Sequence, residues 1–257
     1  MLTLGRQAVY MPAPKYRSLL ESLGITPGPS SFADDFFQGL GATSVISLDA
    51  SAYENATLIH DLNQPIPDAW AGSYDSVFDG GALEHVFNFP TALRNCMELV
   101  KVGGHLIIIT TWNNYAGHGF YQFSPELFYA ALSPNNGYLI DQMLIVQSNQ
   151  WYAVANPEAV GGRVQLLNSE PTLLFLTARR EKSLPVFSTW PQQSDYSAAW
   201  ICPASGQTAA TIASRWKTKL VDITPGGSAI QKLWRDHKLR KACSPANRLA
   251  FRPVDLD

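Results

Sequence analysis

Charge is scarce in this sequence, and cysteine is scarcer. Of 257 residues 16% are charged, below the usual quarter, and the only cysteines are Cys96, Cys202 and Cys243. Their scattered positions make neither a disulfide framework nor a zinc site, and no H-x-x-x-H or C-x-x-C spacing points to a metal. No run approaches the roughly 20 apolar residues of a membrane span. Met1-Leu2-Thr3-Leu4-Gly5-Arg6 lacks the basic region and long apolar core of a secretory signal. A net charge of -2 weighs against a general nucleic-acid binder. What is plentiful is apolar: 46% hydrophobic and 11% aromatic residues, far too many for a disordered chain. A reduced, cytoplasmic protein is expected, built as one large domain or one domain with an extension.

Short apolar runs alternate with helical patterns. Met1–Leu4 is the first run and ends at Gly5. Helices are expected at Lys15–Leu23 and Phe32–Leu40, stopped by Gly24 and Gly41. Strands are expected at Ser44–Leu48, Ala56–His60 and Asp75–Phe78. Pro90–Val102 places Leu93, Met97 and Val100 on one helical face, with Gly103-Gly104 as its stop. His105–Thr111 is the strongest strand, Pro125–Leu132 a helix, and Tyr138–Gln147 and Thr172–Ala178 two late strands. Strands without polar alternation, separated by helices, imply a parallel sheet covered on both faces. From about Arg179 strand signals fade and prolines punctuate the chain. Residues 181–257 therefore read as a C-terminal extension with helical patches at Ala209–Leu220 and Ser228–Lys241.

Three successive strands end in an acid: Asp49, Asp61 and Asp79. Outside the carboxyl ends of a doubly wound sheet, an acid after the second strand accepts hydrogen bonds from ribose hydroxyls. Aspartates also suit turns and helix caps, so each alone is ambiguous. Three in register favour a nucleoside ligand.

The segment Tyr74-Asp75-Ser76-Val77-Phe78-Asp79-Gly80-Gly81-Ala82-Leu83-Glu84-His85-Val86 runs on to Lys101-Val102-Gly103-Gly104. In order and spacing it resembles the class I S-adenosylmethionine-dependent methyltransferases, over roughly residues 1–180. The resemblance implies a Rossmann-like, doubly wound, mostly parallel seven-stranded sheet with helices on both faces. It implies S-adenosylmethionine as cofactor, with Asp49 on the ribose and Asp61 with Leu62 at the adenine. Asp79, Gly80 and Gly81 would flank the methionine portion, with Glu84 and His85 at the mouth of the site. His85 would act as a base or line the pocket. The family's glycine-rich turn after strand one is missing, since Leu4-Gly5-Arg6-Gln7-Ala8-Val9 offers one glycine and no acid. Gly5 to Asp49 also spans 44 positions, against roughly 20 in the dinucleotide-binding pattern. Two helical segments must fit in that gap, or the short first element is misread; the missing turn also points to absent residues upstream. Arg6 or Gln7 would meet the methionine carboxylate, or Arg6 would lie on the surface.

Acceptor contacts belong on the loop after strand five, Thr111 to Glu126. There Gly117-His118-Gly119 bends ahead of a helix started by Ser124-Pro125. His118 is the candidate base or acceptor ligand, with Tyr121 its neighbour. His60 reads as a structural histidine. Asp79, Glu84 and His85 are metal-ligand types at unsuitable spacing, so no metal is expected. The basic tail helix, with Lys232, Arg235, Lys238, Arg240 and Lys241, packs on the core or meets an anionic partner. The function expected is methyl transfer to a small molecule or glycan, most simply on oxygen. A non-catalytic relative used for binding or assembly is the alternative.

Overall fold

The computed structural model describes residues 1–28, 31–147, 149–194, 196 and 227–255. Among these, the apolar runs pair into one nine-stranded sheet. The strands are β1 (Leu2–Leu4), β2 (Ile46–Asp49), β3 (Leu58–Ile59), β4 (Tyr74–Asp79), β5 (Val100–Asn113), β6 (Tyr138–Gln147), β7 (Gln150–Val154), β8 (Thr172–Arg180) and β9 (Phe251–Val254). Their order is β3-β2-β1-β4-β5-β8-β6-β7-β9. The first five pair in parallel and the remaining pairings are antiparallel. The expected seven-stranded, mostly parallel sheet is thus corrected to nine strands, parallel over one half. The two strands without an expectation are β7, the second arm of a tight hairpin after β6, and β9. The latter falls in the stretch read as an extension, yet it pairs with β7 and closes the same sheet.

Helix α1 (Ala13–Ser22) and α2 (Asp34–Gly39) fill the long connection between β1 and β2. Helix α3 (Phe89–Leu99) joins β4 to β5, and α4 (Pro125–Ala131) follows β5. Right-handed crossovers place α1 and α2 on the face opposite α3. Cover is unequal: α3 buries Phe89, Ala92, Leu93, Cys96, Met97 and Leu99, whereas α1 buries Leu20 alone and α2 nothing. Among the described residues two further helices follow, the single turn α5 (Pro157–Val160) and the 16-residue α6 (Gly227–Ala242). The patch expected at Ala209–Leu220, like Cys202, lies outside the described residues.

Gly103-Gly104 does not stop α3, which already ends at Leu99. The pair forms a bulge in β5, where Tyr74 and Ser76 of β4 face Val100 and His105. A Cβ on Gly104 would stand 2.5 Å from the Asp75 carbonyl oxygen, so only glycine lets β5 pass there. The helix end is served instead by buried Arg180, which donates to the carbonyls of Glu98 (3.1 Å) and Val100 (2.6 Å).

Asn95, fully buried on α3, ties down the segment between β3 and β4. Its Oδ1 accepts from Ile66 N (3.1 Å), and its amide donates to the carbonyls of Leu62 (3.2 Å) and Gln64 (2.8 Å). Removing it strands three backbone groups in the interior, each costing about 1–3 kcal/mol. Asn95→Ala is therefore expected to lower stability by about 2–4 kcal/mol in urea titration. A smaller loss would mean that solvent replaces those bonds.

Candidate functional site at the carboxyl ends of the parallel strands

The strand order reverses direction between β1 and β4, and in open parallel sheets ligands bind in the crevice outside that point. Gly5, at φ 66, turns the chain out of β1 there. A Cβ on Gly5 would lie 3.6 Å from Asp49 Oδ2, so the ends of β1 and β2 meet closely. Asp49 Oδ1 accepts from Ser51 N (3.0 Å), leaving Oδ2 directed toward Gly5.

Gln7 and Arg6 take different paths. Gln7 Nε2 donates to the Leu4 carbonyl (2.6 Å), and a Cβ on Gly80 would collide with Gln7 Oε1. Gln7 therefore lies over the β1–β4 gap. Arg6 turns to the β1–β2 connection: it pairs with Asp34 at 3.3 Å and stacks on Phe32 at 4.1 Å. Asp61 is exposed and accepts from Asn63 N and Nδ2, bonds that hold its carboxyl below the usual carboxylate range. Leu62 beside it is buried. His60 makes a contact to the Gln64 carbonyl at 3.2 Å and an edge contact with Trp70.

Asp79 is the most unusual group. It is fully buried at the end of β4, its Oδ1 accepts from Ala82 N (2.7 Å), and its Oδ2 makes no hydrogen bond among the described residues. Burial, reinforced by the charge of Glu84, pushes its pKa up to about 7 against the pull of the Ala82 amide. Asp79 thereby starts the 3-10 turn Leu83–His85, which buries Leu83 and Glu84 and leaves His85 exposed.

The loop after β5 folds onto this turn. Phe120 N (2.8 Å) and Tyr121 N (3.3 Å) both donate to the Glu84 carbonyl, and Thr110 Oγ1 donates to Glu84 Oε2 (2.9 Å). His118 is thereby set 3.8 Å from Glu84 Oε1, and its ring meets His85 edge-on at 4.9 Å. Tyr121 spends its hydroxyl on the Phe87 carbonyl (2.7 Å) and stacks on Phe123. Phe87 and Phe120 stand 72% and 66% exposed, edge to face, at the rim. The structure thus gathers Glu84, His85, His118 and Tyr121 into one cluster and Gly5, Gln7, Asp49 and Gly80 into an adjoining one. Arg6 and Asp61 stand apart from both. Sequence reasoning missed Thr110 and the rim phenylalanines: Thr110 is one threonine in a strand, and Phe87 a single exposed apolar residue, so neither has a spacing that marks it.

No family model matches this chain, and no curated protein matches its sequence. Among solved structures, an S-adenosylmethionine-dependent methyltransferase from Mesorhizobium loti is similar at 15% identity and TM-score 0.37, over 56% of this chain and 84% of that one. The trans-methyltransferase CalH, complexed with SAH, is similar at 13% and 0.38, over 70% of this chain and half of its own. A 1,6-didemethyltoxoflavin-N1-methyltransferase from Burkholderia thailandensis reaches 15% and 0.36, over 70% and 71%. Likeness this slight carries no argument about function.

Two predictions follow from the geometry. A carboxyl whose folded pKa is raised binds its proton more tightly when folded, so stability falls as pH rises from about 4 through 7. The fall attributable to Asp79 is up to roughly 4 kcal/mol, and Asp79→Asn should flatten it between pH 4 and 8 in urea midpoints. An unchanged slope would mean that Asp79 is ionised when folded. Gly119, at φ 75, has its would-be Cβ 2.7 Å from the Glu84 carbonyl oxygen, whereas Gly117 has open space. Gly119→Ala should cost about 1–3 kcal/mol and expose the Phe120 amide to hydrogen exchange. Gly117→Ala should stay within about 0.5 kcal/mol.

Proposed function

We propose that this protein binds S-adenosylmethionine at the β1–β4 crevice and transfers its methyl group to a hydroxyl of a small molecule or glycan. The observation that carries the reading is buried Asp79, whose unpartnered oxygen lies at the strand-order reversal beside Gly5 and Gly80. An ionised Asp79 complements the ammonium of a methionine moiety, which would reach it by displacing the Gln7 side chain from over Gly80. Asp49 is assigned to the ribose, and Asp61 with Leu62 to the adenine rim. Gly81, Glu84 and Gln7 border the methionine end, and Arg6 holds the turn in place through Asp34.

The bound sulfonium supplies an electrophilic methyl group. The chain's part is alignment: the acceptor lies between the aromatic rim and the His85/His118 pair. Organic ligands favour such apolar walls with a few polar groups. His118 receives the hydroxyl proton or holds the acceptor, and holding donor and acceptor in line supplies several kcal/mol of the barrier. Tyr121, its hydroxyl committed to Phe87, acts as wall. His85 lines the mouth.

One observation favours the alternative of a non-catalytic binding protein: Gln7 lies over the crevice where the family's glycine-rich turn would leave open backbone. Calorimetry with S-adenosylmethionine and S-adenosylhomocysteine decides. Ligand at 100 times its dissociation constant adds about 2.7 kcal/mol of stability, and affinity should rise with pH up to about 7 as Asp79 ionises. Asp49→Ala should abolish binding. His118→Ala should lower kcat far more than cofactor affinity, and an equal effect on both would remove its proton-accepting role. Absence of binding by folded protein would leave the binding-protein reading.

A further inference from the structure

The cluster at the turn after β4 has more donors than proton transfer needs. We propose that Glu84, His85 and His118 form a binding site for a divalent first-row transition ion, of which zinc is the type. The inference deepens the proposed function and rests on it only for placing the acceptor at this end of the sheet. An ion held there would polarise the acceptor hydroxyl and make it more acidic, so that its proton leaves to solvent water in place of transfer to the His118 imidazole.

One donor atom from each of the three side chains lies within 4.8 Å of the others. Donors on a tetrahedral zinc ion, at about 2.0–2.2 Å from the metal, stand roughly 3.3 Å apart. The observed triangle therefore needs to contract by at most about 1.5 Å. The side chains able to move are the exposed ones, His85 and His118, while buried Glu84 is the fixed point.

Four features make this more than a chance meeting of polar groups. Two imidazoles and one carboxylate are a donor set that suits zinc and its neighbours, and three protein ligands leave a position open for water or substrate. Glu84 is held from behind: Thr110 Oγ1 donates to Oε2 at 2.9 Å, which leaves Oε1 turned to the histidines. Metal-ligating carboxylates are commonly oriented by such a bond. Glu84 Oε1 stands 3.8 Å from His118 Nε2, too far for a hydrogen bond, so the carboxylate faces that ring without closing on it. A cation between them would remove the cost of burying that charge. The loop carrying His118 is also locked to the turn carrying Glu84 and His85 by two amides on one carbonyl, so the backbone segments that bear the donors are held together before any ion arrives, and only the two imidazoles need to swing.

The test uses the untagged full chain, treated with chelator and titrated with Co2+ alone, with neither cofactor nor acceptor present. One Co2+ per chain should bind, with the visible absorption of an ion bearing nitrogen and oxygen donors, and Zn2+ should displace it. His118→Ala and His85→Ala replace exposed side chains and leave the core alone, and each should weaken binding at least tenfold. Thr110→Val should weaken it by about 10–100-fold with the same stoichiometry, as expected of a group that orients a ligand. No stoichiometric binding overturns the proposal. So does binding that survives both histidine replacements, which would leave Glu84 and His118 as an ion pair. Because the readout involves the metal alone, a failure of S-adenosylmethionine to bind would sink the proposed function without touching this result.

Discussion

Three residues of backbone, Leu2 to Leu4, hold the sheet's two windings together. Strand β1 pairs on one side with β2 and on the other with β4, in parallel and in register over its whole length. Its side chains are buried on both faces. The placement of Gly5, Asp49 and Asp79 follows from that pairing. Gly5 leaves the sheet beside Asp49 because β1 and β2 end level, and Asp79 lies opposite Leu4 because β1 and β4 do. So short a strand cannot be stabilised by its own propensity. It is held by the two strands it joins and by apolar cover above and below.

The second organising contact is the carbonyl oxygen of Glu84. Two amides from the loop after β5 converge on it, while the side chain of the same residue is fixed by Thr110 on β5 itself. Backbone and side chain of one residue thus join the β4 and β5 loops. This explains why Gly119 is required where Gly117 is not: the approach that brings His118 to Glu84 leaves no room for a Cβ at one glycine and ample room at the other. The proposed acceptor side and the proposed cofactor side also share a wall, since Gly81 and Asp79 both adjoin Glu84.

Much of the sheet was legible in the sequence. The apolar runs at Met1–Leu4 and Tyr138–Gln147 and the helical face of Leu93 and Met97 fall where periodicity places them, because each is buried locally by its own pattern. The signal failed where long-range pairing decides. Gly103-Gly104 looks like a helix stop and is a β-bulge, because what it must clear is the backbone of β4, a strand 25 residues upstream in sequence. Strands β7 and β9 carry no strong alternation: β7 exists because it folds back on β6, and β9 because it pairs with β7. At the site, the aspartates were visible as strand ends. The meeting of His118 with Glu84 and His85 was not, since it depends on a loop folding back over a turn. Pattern reading also could not tell that Arg6 is spent on Asp34 and Phe32.

The position of β9 has a consequence in time as well as in space. Strand β7 ends at Val154 and its outer partner begins at Phe251, so about 100 residues of synthesis separate them. At ribosomal rates of 5–20 residues per second, β7 waits roughly 5–20 s with one edge unpaired. During that interval the nascent chain presents Gln150-Trp151-Tyr152-Ala153-Val154, an uncharged and largely apolar strand, as a template for other chains. Strand β9 therefore works as a late seal on the sheet, and the β7 edge is covered only once that seal is set.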